Sequence, residues 1–328
     1  MTEPRVLVLG SSGPTAGPSA PPALERLSGR AQVTYCDEKT LAARLPEANV
    51  LLVWDFTSDA LRAAWPGPGP RPGWVHTASA GVDRVLFPEL AQSDTVLTNA
   101  RGIFDQPIAE FVAGLVIALA KDFHSTWEFQ RRHEWRHRET QKVSGSRAVV
   151  VGSGPIGRTI GRTLQALGVE VQLTGRRERG GDPDFGRVHG SESLPALLAG
   201  ADWVVCAAPL TEQTTGLFDA GLFARMKPGA RFINIGRGPH VVEPDLVAAL
   251  RSGRLAGAAL DVFAEEPLPE SSPLWDVPGL LISPHMSGDT VGWRNDLAEQ
   301  FQDNFDLWHA GKPLRNVVDK TLGYVPHD

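Results

Sequence analysis

Cysteine is nearly absent from this 328-residue chain: Cys36 and Cys206 stand far apart, with no C-x-x-C spacing. Two isolated thiols exclude a disulfide scaffold and a cysteine-built zinc site, and they suit a reducing compartment. No metal is expected. Basic excess is missing too: the formal charge is −6, so nucleic acid is not an expected partner. Long apolar runs are also lacking. No segment approaches the roughly 20 residues of a membrane helix, and the run at 6–9 is too short for the core of a secretory signal. The expectation is a cytoplasmic protein without a membrane partner. Internal repeats and coiled-coil heptads are absent as well.

What is present is a succession of short apolar runs. The chain is long enough for two cores, since single cores rarely grow beyond about 250–300 residues. Runs at 6–9, 31–35, 50–53 and 74–77 read as strands of a small parallel α/β unit, with a Gly/Ser/Pro-rich loop at 10–22 and a Pro/Gly-rich break at 66–73. The Gly10 to Gly13 stretch lacks dinucleotide spacing and reads as plain loop. Residues 109–121 predict a helix that is apolar over most of its surface, buried on several sides, between domains or between subunits. The charged and aromatic segment 122–141, with Trp127, His133 and Trp135, follows it.

From residue 147 the runs become regular: AVVV, VEVQL, DWVVCAA, ARFINIG, GAALDVF and LLISPH. They are continuous rather than alternating, as parallel strands covered on both faces require. Residues 243–254 fit an intervening helix. After the first of these runs, Gly152, Gly154 and Gly157 form G-x-G-x-x-G, with Pro155 and Ile156 opening a helix predicted over 156–167. The first glycine permits the turn, the second lets a pyrophosphate approach the backbone, and the third allows close helix–strand packing. At the end of the second strand an acidic residue would ordinarily hold an adenosine ribose diol. Gly175 stands there instead, followed by Arg176 and Arg177. A missing carboxylate and a pair of guanidinium forks favour a 2′-phosphate, hence NADP(H) over NAD(H), with NAD(H) still possible.

Three later runs each end on a chemically distinctive residue. Arg237 follows FIN, Glu266 follows the run that leads into Asp261, and His285 follows LIS-Pro. In a doubly wound sheet, loops after the carboxyl ends of strands converge on the ligand crevice. Reduction of a ketone leaves an alkoxide that needs a proton, which a histidine can deliver near neutral pH. A carboxylate at Glu266 can hold and stabilise that ring, and Arg237 can bind a substrate carboxylate through its rigid fork. Taken singly, each residue has a bland explanation as loop, strand end or domain-edge ion pair. Their joint arrangement behind a dinucleotide turn gives the reading its weight. His240, three residues past Arg237, is an alternative, solvent-side base. Trp54, Phe56 and Phe104 are candidates for a specificity pocket or for core.

The chain resembles the D-isomer-specific 2-hydroxyacid dehydrogenases. The matching text runs GSGPIG at 152–157, PLTEQT at 209–214, MKPGA at 226–230, NIGRG at 234–238, DVFAEEP at 261–267 and Pro284 with His285. It begins with AGVD at 80–83 and ends with GKPLRNVV at 311–318. The resemblance implies an α/β architecture: a Rossmann cofactor domain with a doubly wound parallel sheet, plus a flavodoxin-like substrate domain. Residues 1–98 would form the latter, completed by 293–328, and 99–292 the former. It implies that Arg237, Glu266 and His285 are catalytic, that Asp261 positions the nicotinamide carboxamide and that Pro209 lines the cofactor. It further implies that backbone N–H groups of Ala80 and Gly81, with Arg237, meet the substrate carboxylate. A homodimer joined through the cofactor domain is expected. The strand end at Gly175 resembles the NADPH-using glyoxylate and hydroxypyruvate reductase branch, although 136–142 lacks a recognisable substrate-selecting signature of that branch. The competing readings are an NAD-dependent enzyme for a bulkier acid and a catalytically silent NAD(P)-sensing interaction protein.

Overall fold

The computed structural model describes residues 3–10, 24–67 and 69–326. The loop expected at 10–22 therefore lies, apart from Gly10, outside the described residues. Two compact units make up the chain, one of residues 1–104 with 290–328 and one of 105–289.

The first unit is built on five parallel strands: β1 (Arg5–Leu9), β2 (Gln32–Cys36), β3 (Val50–Val53), β4 (Trp74–Thr77) and β5 (Val96–Asn99). Their spatial order is β2-β1-β3-β4-β5, the flavodoxin-like order. Helices α1 (Glu38–Arg44), α2 (Ala60–Ala64) and α3 (Pro88–Ala91) connect them. β3 and β4 are buried at every position; β3 is unbroken apolar text, whereas β4 reads WVHT and buries His76 and Thr77 with Trp74 and Val75. β5 escapes sequence detection because half of it is polar. Buried Thr98 accepts from Trp74 Nε1 at 2.8 Å and lies 2.8 Å from His76 Nδ1, so its hydroxyl is consumed inside the core.

The second unit opens with α4 (Asp105–Ala120) and α5 (Phe123–Arg131). It continues through β6 (Arg147–Val151), α6 (Pro155–Ala166), β7 (Glu170–Gly175), β8 (Arg179–Asp182), β9 (Gly186–Gly190), α7 (Leu194–Leu198), β10 (Trp203–Cys206), α8 (Ala220–Arg225), β11 (Ala230–Asn234), α9 (Glu243–Arg251), β12 (Leu255–Leu260) and β13 (Leu280–Ile282). The strand order β13-β12-β11-β10-β6-β7-β9-β8 reverses direction at β6, and all pairs except β8–β9 are parallel. This is the doubly wound dinucleotide-binding order with an added antiparallel edge strand. The last helix, α10 (Trp293–His309), belongs to the first unit.

Some expectations shift. α9 stops at Arg251, and Gly253, at φ +72, caps its end as a left-handed glycine. Of the segment 122–141 only α5 is helical, and it buries none of its residues; Trp127 is exposed and Trp135 fully so. α4 buries Ile108, Ala109, Val112, Ala113, Val116 and Ala120. Phe104 is buried and Phe56 half-buried, and both pack against Trp293 of α10; Trp54 is buried too. Among the described residues no helix is long and apolar enough to cross a membrane.

Candidate active site

Because its strands run parallel, the second unit delivers the loops after β6, β7, β10, β11, β12 and β13 to one edge of the sheet. Gly152 turns the chain after β6 with φ +121, a conformation open to glycine. A Cβ there would fall 2.4 Å from the Ala207 carbonyl oxygen, and one at Gly157 would fall 1.9 Å from the Gly152 oxygen. Both glycines therefore have reasons inside the protein. Gly154 has none: its φ is −72, and an added Cβ would meet nothing within 4 Å. It opens α6 at Pro155 with no side-chain cap, leaving the first-turn N–H groups, Ile156 and Gly157 among them, without a capping oxygen. A helix start of this kind, bare on its outer side, fits a pyrophosphate.

The end of β7 fits the adenosine side. A Cβ at Gly175 would lie 2.6 Å from Ser153 Oγ, and that hydroxyl accepts from Arg179 Nη2 at 3.2 Å. Arg179, which sequence reasoning missed, thus reaches back to the glycine turn from the start of β8. The signal was hidden because its reach depends on the β8–β9 hairpin. Arg176 and Arg177 are exposed and make no ion pair among the described residues. Arg158, one turn inside α6, is committed elsewhere: it grips Asp182 at 2.6 and 3.0 Å and Asp184 at 3.1 Å. That guanidinium holds the Asp182 carboxyl down to about 2.

His285 and Glu266 meet across two loops, Nδ1 to Oε2, at 2.7 Å. The other Glu266 oxygen accepts from the Phe263 N–H at 2.8 Å, which fixes the carboxylate plane. Burial pushes the Glu266 carboxyl up, but the His285 hydrogen bond and charge, the Phe263 N–H and the Arg237 charge outweigh it and leave it below its ordinary value. The carboxylate is therefore an ionised partner, and the Nδ1 contact leaves Nε2 as the nitrogen that faces away from it. His285 itself sits at φ +51, an uncommon conformation for a non-glycine residue.

Asp261 holds that conformation. Wholly buried at the end of β12, it accepts from the Ser283 hydroxyl, from the Met286 N–H at 2.9 Å and from the Ser287 N–H at 3.0 Å, gripping the chain on both sides of His285. Arg237 is shaped by Asn234, whose side chain accepts from Gly236 N–H at 3.1 Å and donates to the Arg237 carbonyl at 2.9 Å. Gly238 has no room for a side chain, since a Cβ would lie 1.8 Å from the Phe263 carbonyl carbon. The loops after β11 and β12 are thus pressed together, within reach of the electrostatic influence of Arg237 on Glu266. The expectation of a solvent-side base at His240 is overturned: the ring is 0% exposed and both nitrogens have neighbours. Burial of the turn cannot be read from letters. Pro209, after β10, offers its carbonyl to Thr214 Oγ1 at 2.8 Å.

In the first unit, Ala80 and Gly81 follow β4. Their carbonyls accept from Asn99 Nδ2 and Ser79 Oγ, each at 2.6 Å, while their N–H groups donate to nothing among the described residues. Two undirected donors in a tight turn suit an anionic group. Among the described residues no His/Cys/Asp/Glu cluster is arranged to hold a metal.

A dinucleotide turn, a sheet edge gathering polar loops and a carboxylate-held histidine define an NAD(P)-dependent oxidoreductase. The chain belongs to the D-isomer specific 2-hydroxyacid dehydrogenase family, whose NAD binding domain it matches over residues 113–287. It is 32% identical over 258 residues to a glyoxylate/hydroxypyruvate reductase A of Serratia proteamaculans, covering 76% of this chain and 81% of that one. A hydroxyphenylpyruvate reductase of Plectranthus scutellarioides is also 32% identical, over 74% of this chain and 77% of its own. The crystal structure of an NADPH-dependent glyoxylate/hydroxypyruvate reductase of Sinorhizobium meliloti, in complex with NADP and sulfate, superposes with a TM-score of 0.81 at 27% identity, covering 97% of this chain and 99% of that one. The similarities lean clearly to the glyoxylate/hydroxypyruvate reductase branch.

Proposed function

We propose that this chain is an NADPH-preferring reductase of small 2-oxo acids, glyoxylate or hydroxypyruvate foremost, and in reverse a D-2-hydroxyacid dehydrogenase. The observation that carries the chemistry is the 2.7 Å contact between His285 and Glu266 on the sheet edge that also bears the glycine turn and Arg237. A reduced nicotinamide, when bound, supplies the hydride. Arg237 binds the substrate carboxylate and polarises the neighbouring carbonyl. His285 delivers the proton to the carbonyl oxygen, and Glu266 holds the ring and offsets its charge when protonated. In the reverse direction the same imidazole removes the hydroxyl proton.

Gly152, Gly154, Pro155, Ile156 and Gly157 hold the pyrophosphate, Pro209 flanks the cofactor and Asp261 keeps the nicotinamide-side loop in place. Arg176, Arg177 and Arg179 are the 2′-phosphate ligands. What supports NADPH over NADH is the pairing of a glycine at 175 with these cations and the NADP found in similar reductases. We also propose a homodimer formed through the second unit, supported by the exposed aromatics Phe123, Trp127 and Trp135.

The test is initial rates on glyoxylate, hydroxypyruvate, hydroxyphenylpyruvate and other 2-oxo acids with low concentrations of each reduced cofactor. Turnover of a small acid with higher kcat/KM for NADPH is expected. A higher value for NADH would overturn the cofactor assignment. No turnover on any acid would favour a sensing role.

A further inference from the structure

One buried titratable side chain beside the proposed site has no part in the chemistry above. His240 ends the short turn Gly238–His240 and is 0% exposed. A buried imidazole nitrogen without a partner costs as much as a lost hydrogen bond, so its surroundings are informative. The Arg237 backbone nitrogen lies 2.9 Å from Nδ1, and the Pro209 carbonyl oxygen lies 3.3 Å from Nε2. An amide nitrogen only donates and a carbonyl only accepts, so the ring is bare at Nδ1 and carries its hydrogen at Nε2. The Arg237 carbonyl is also 3.0 Å from Nδ1, but it already accepts from the His240 N–H at 3.2 Å and from Asn234 at 2.9 Å.

The ring thereby spans two loops. Gly236 leaves it room, since a Cβ there would lie 3.0 Å from its Nδ1 and Cε1. Around it the same loops are laced by backbone bonds, Gly216 N–H to the Pro239 carbonyl at 2.8 Å and Phe218 N–H to the His240 carbonyl at 2.9 Å. These backbone bonds fix the loops' separation. They do not fix the orientation of the Arg237 peptide, which is extended at φ −144, ψ 151. That orientation is held by the Asn234 amide on the Arg237 carbonyl, by Arg237 Nη1 on the Gly236 carbonyl at 2.9 Å, and by the ring nitrogen that accepts the Arg237 N–H.

We infer that His240 is a positioning residue: its neutral ring orients the Arg237 peptide, aims that side chain at the substrate carboxylate and ties this aim to the Pro209 loop. The inference rests on the substrate-binding role proposed for Arg237. Its chemical requirement is specific, an acceptor at the Nδ1 position, and a hydrophobic or merely space-filling residue does not meet it.

Two substitutions separate the ring's two ends. In His240→Asn the side-chain oxygen stands where Nδ1 was and still accepts from the Arg237 N–H. In His240→Gln the amide reaches towards the Pro209 carbonyl and leaves the Arg237 N–H without its acceptor. The readouts are kcat and KM for the best 2-oxo acid, NADPH affinity by fluorescence titration without substrate, and thermal melting. A misaimed binding group can cost about 100-fold in rate. The Gln variant is expected to lose about that much kcat/KM, with a raised KM, and to keep NADPH affinity within about threefold. The Asn variant recovers to within about tenfold of the unsubstituted enzyme. Equal kcat/KM in the two variants, the reverse order, or loss of cooperative melting in both overturns the positioning role. If the unsubstituted chain turns over no 2-oxo acid, the reading of Arg237 fails first and the inference falls with it.

Discussion

A histidine can deliver a proton only if something keeps the ring in place and compensates its charge. Glu266 does both, through one oxygen on His285 and the other on the Phe263 N–H. Replacing it by Gln preserves size and removes the charge. We expect kcat for 2-oxo acid reduction to fall about 100-fold. Initial rates decide it, and a kcat unchanged by the substitution would show that Glu266 acts only in packing. At the cofactor end, Arg179→Ala should weaken NADPH binding about tenfold, the scale of one charge-assisted hydrogen bond, and leave NADH binding nearly unchanged. Fluorescence titration with each cofactor decides it, and an equal loss for both would remove Arg179 from the phosphate site. These residues differ in how far the sequence betrays them. Arg237, Glu266 and His285 each follow an apolar run, so strand-end logic finds them. Arg179 becomes visible only once the hairpin turns it back to Ser153, and His240 only once its burial is known.

The elements divide along the same line. Buried parallel strands such as β3 and β10 announce themselves as unbroken apolar text, because both faces are covered. β8 and β9, reading RGGD and GRVHG, carry no such pattern. Their pairing rests on a tertiary anchor, the two-pronged grip of Arg158 on Asp182, whose side chains are only 18% and 5% exposed. Asp182→Asn should therefore lower stability by about 2 kcal/mol, less than the roughly 3–5 kcal/mol of a buried pair because Asp184 still engages Arg158. The pH dependence has a definite sign. The hydrogen bond from Arg158 lowers the Asp182 carboxyl from 3.8 to about 2 in the fold. Its stabilisation is fully present above the unfolded value and disappears as pH falls through the folded one. Melting curves should show the gap between wild type and Asp182→Asn closing between about pH 4 and pH 2. A gap constant over that range would mean that the charge contributes nothing and that the hairpin is held by packing alone.

At the scale of the whole molecule, two clusters of buried side chains among the described residues each lie within a single unit. One gathers Val149, Cys206, Phe218, Phe232, Leu260 and their neighbours, all between 105 and 289; the other gathers Leu9, Leu41, Val53, Val75, Leu97 and Val318. The chain passes from the first unit to the second and returns, so the second is one uninterrupted stretch and the first is made of two pieces. A continuous stretch with its own core needs no distant segment to close its sheet, whereas the first unit must bring α10, and Val317 which bridges Thr98, back to its N-terminal piece. Loop closure across so long an insertion costs entropy that only the finished unit recovers. Residues 105–289 expressed alone should therefore melt cooperatively. They should also bind NADPH within about tenfold of the full chain, since the glycine turn, Arg176, Arg177, Arg179 and Asp261 all lie within them. Residues 1–104 expressed alone should not fold, because β4 would lose the stacking of Trp74 on Phe301. Circular dichroism melts and a fluorescence titration of the two fragments test this together. A cooperative melt of 1–104, or an unfolded 105–289, would overturn this division of folding between the two stretches.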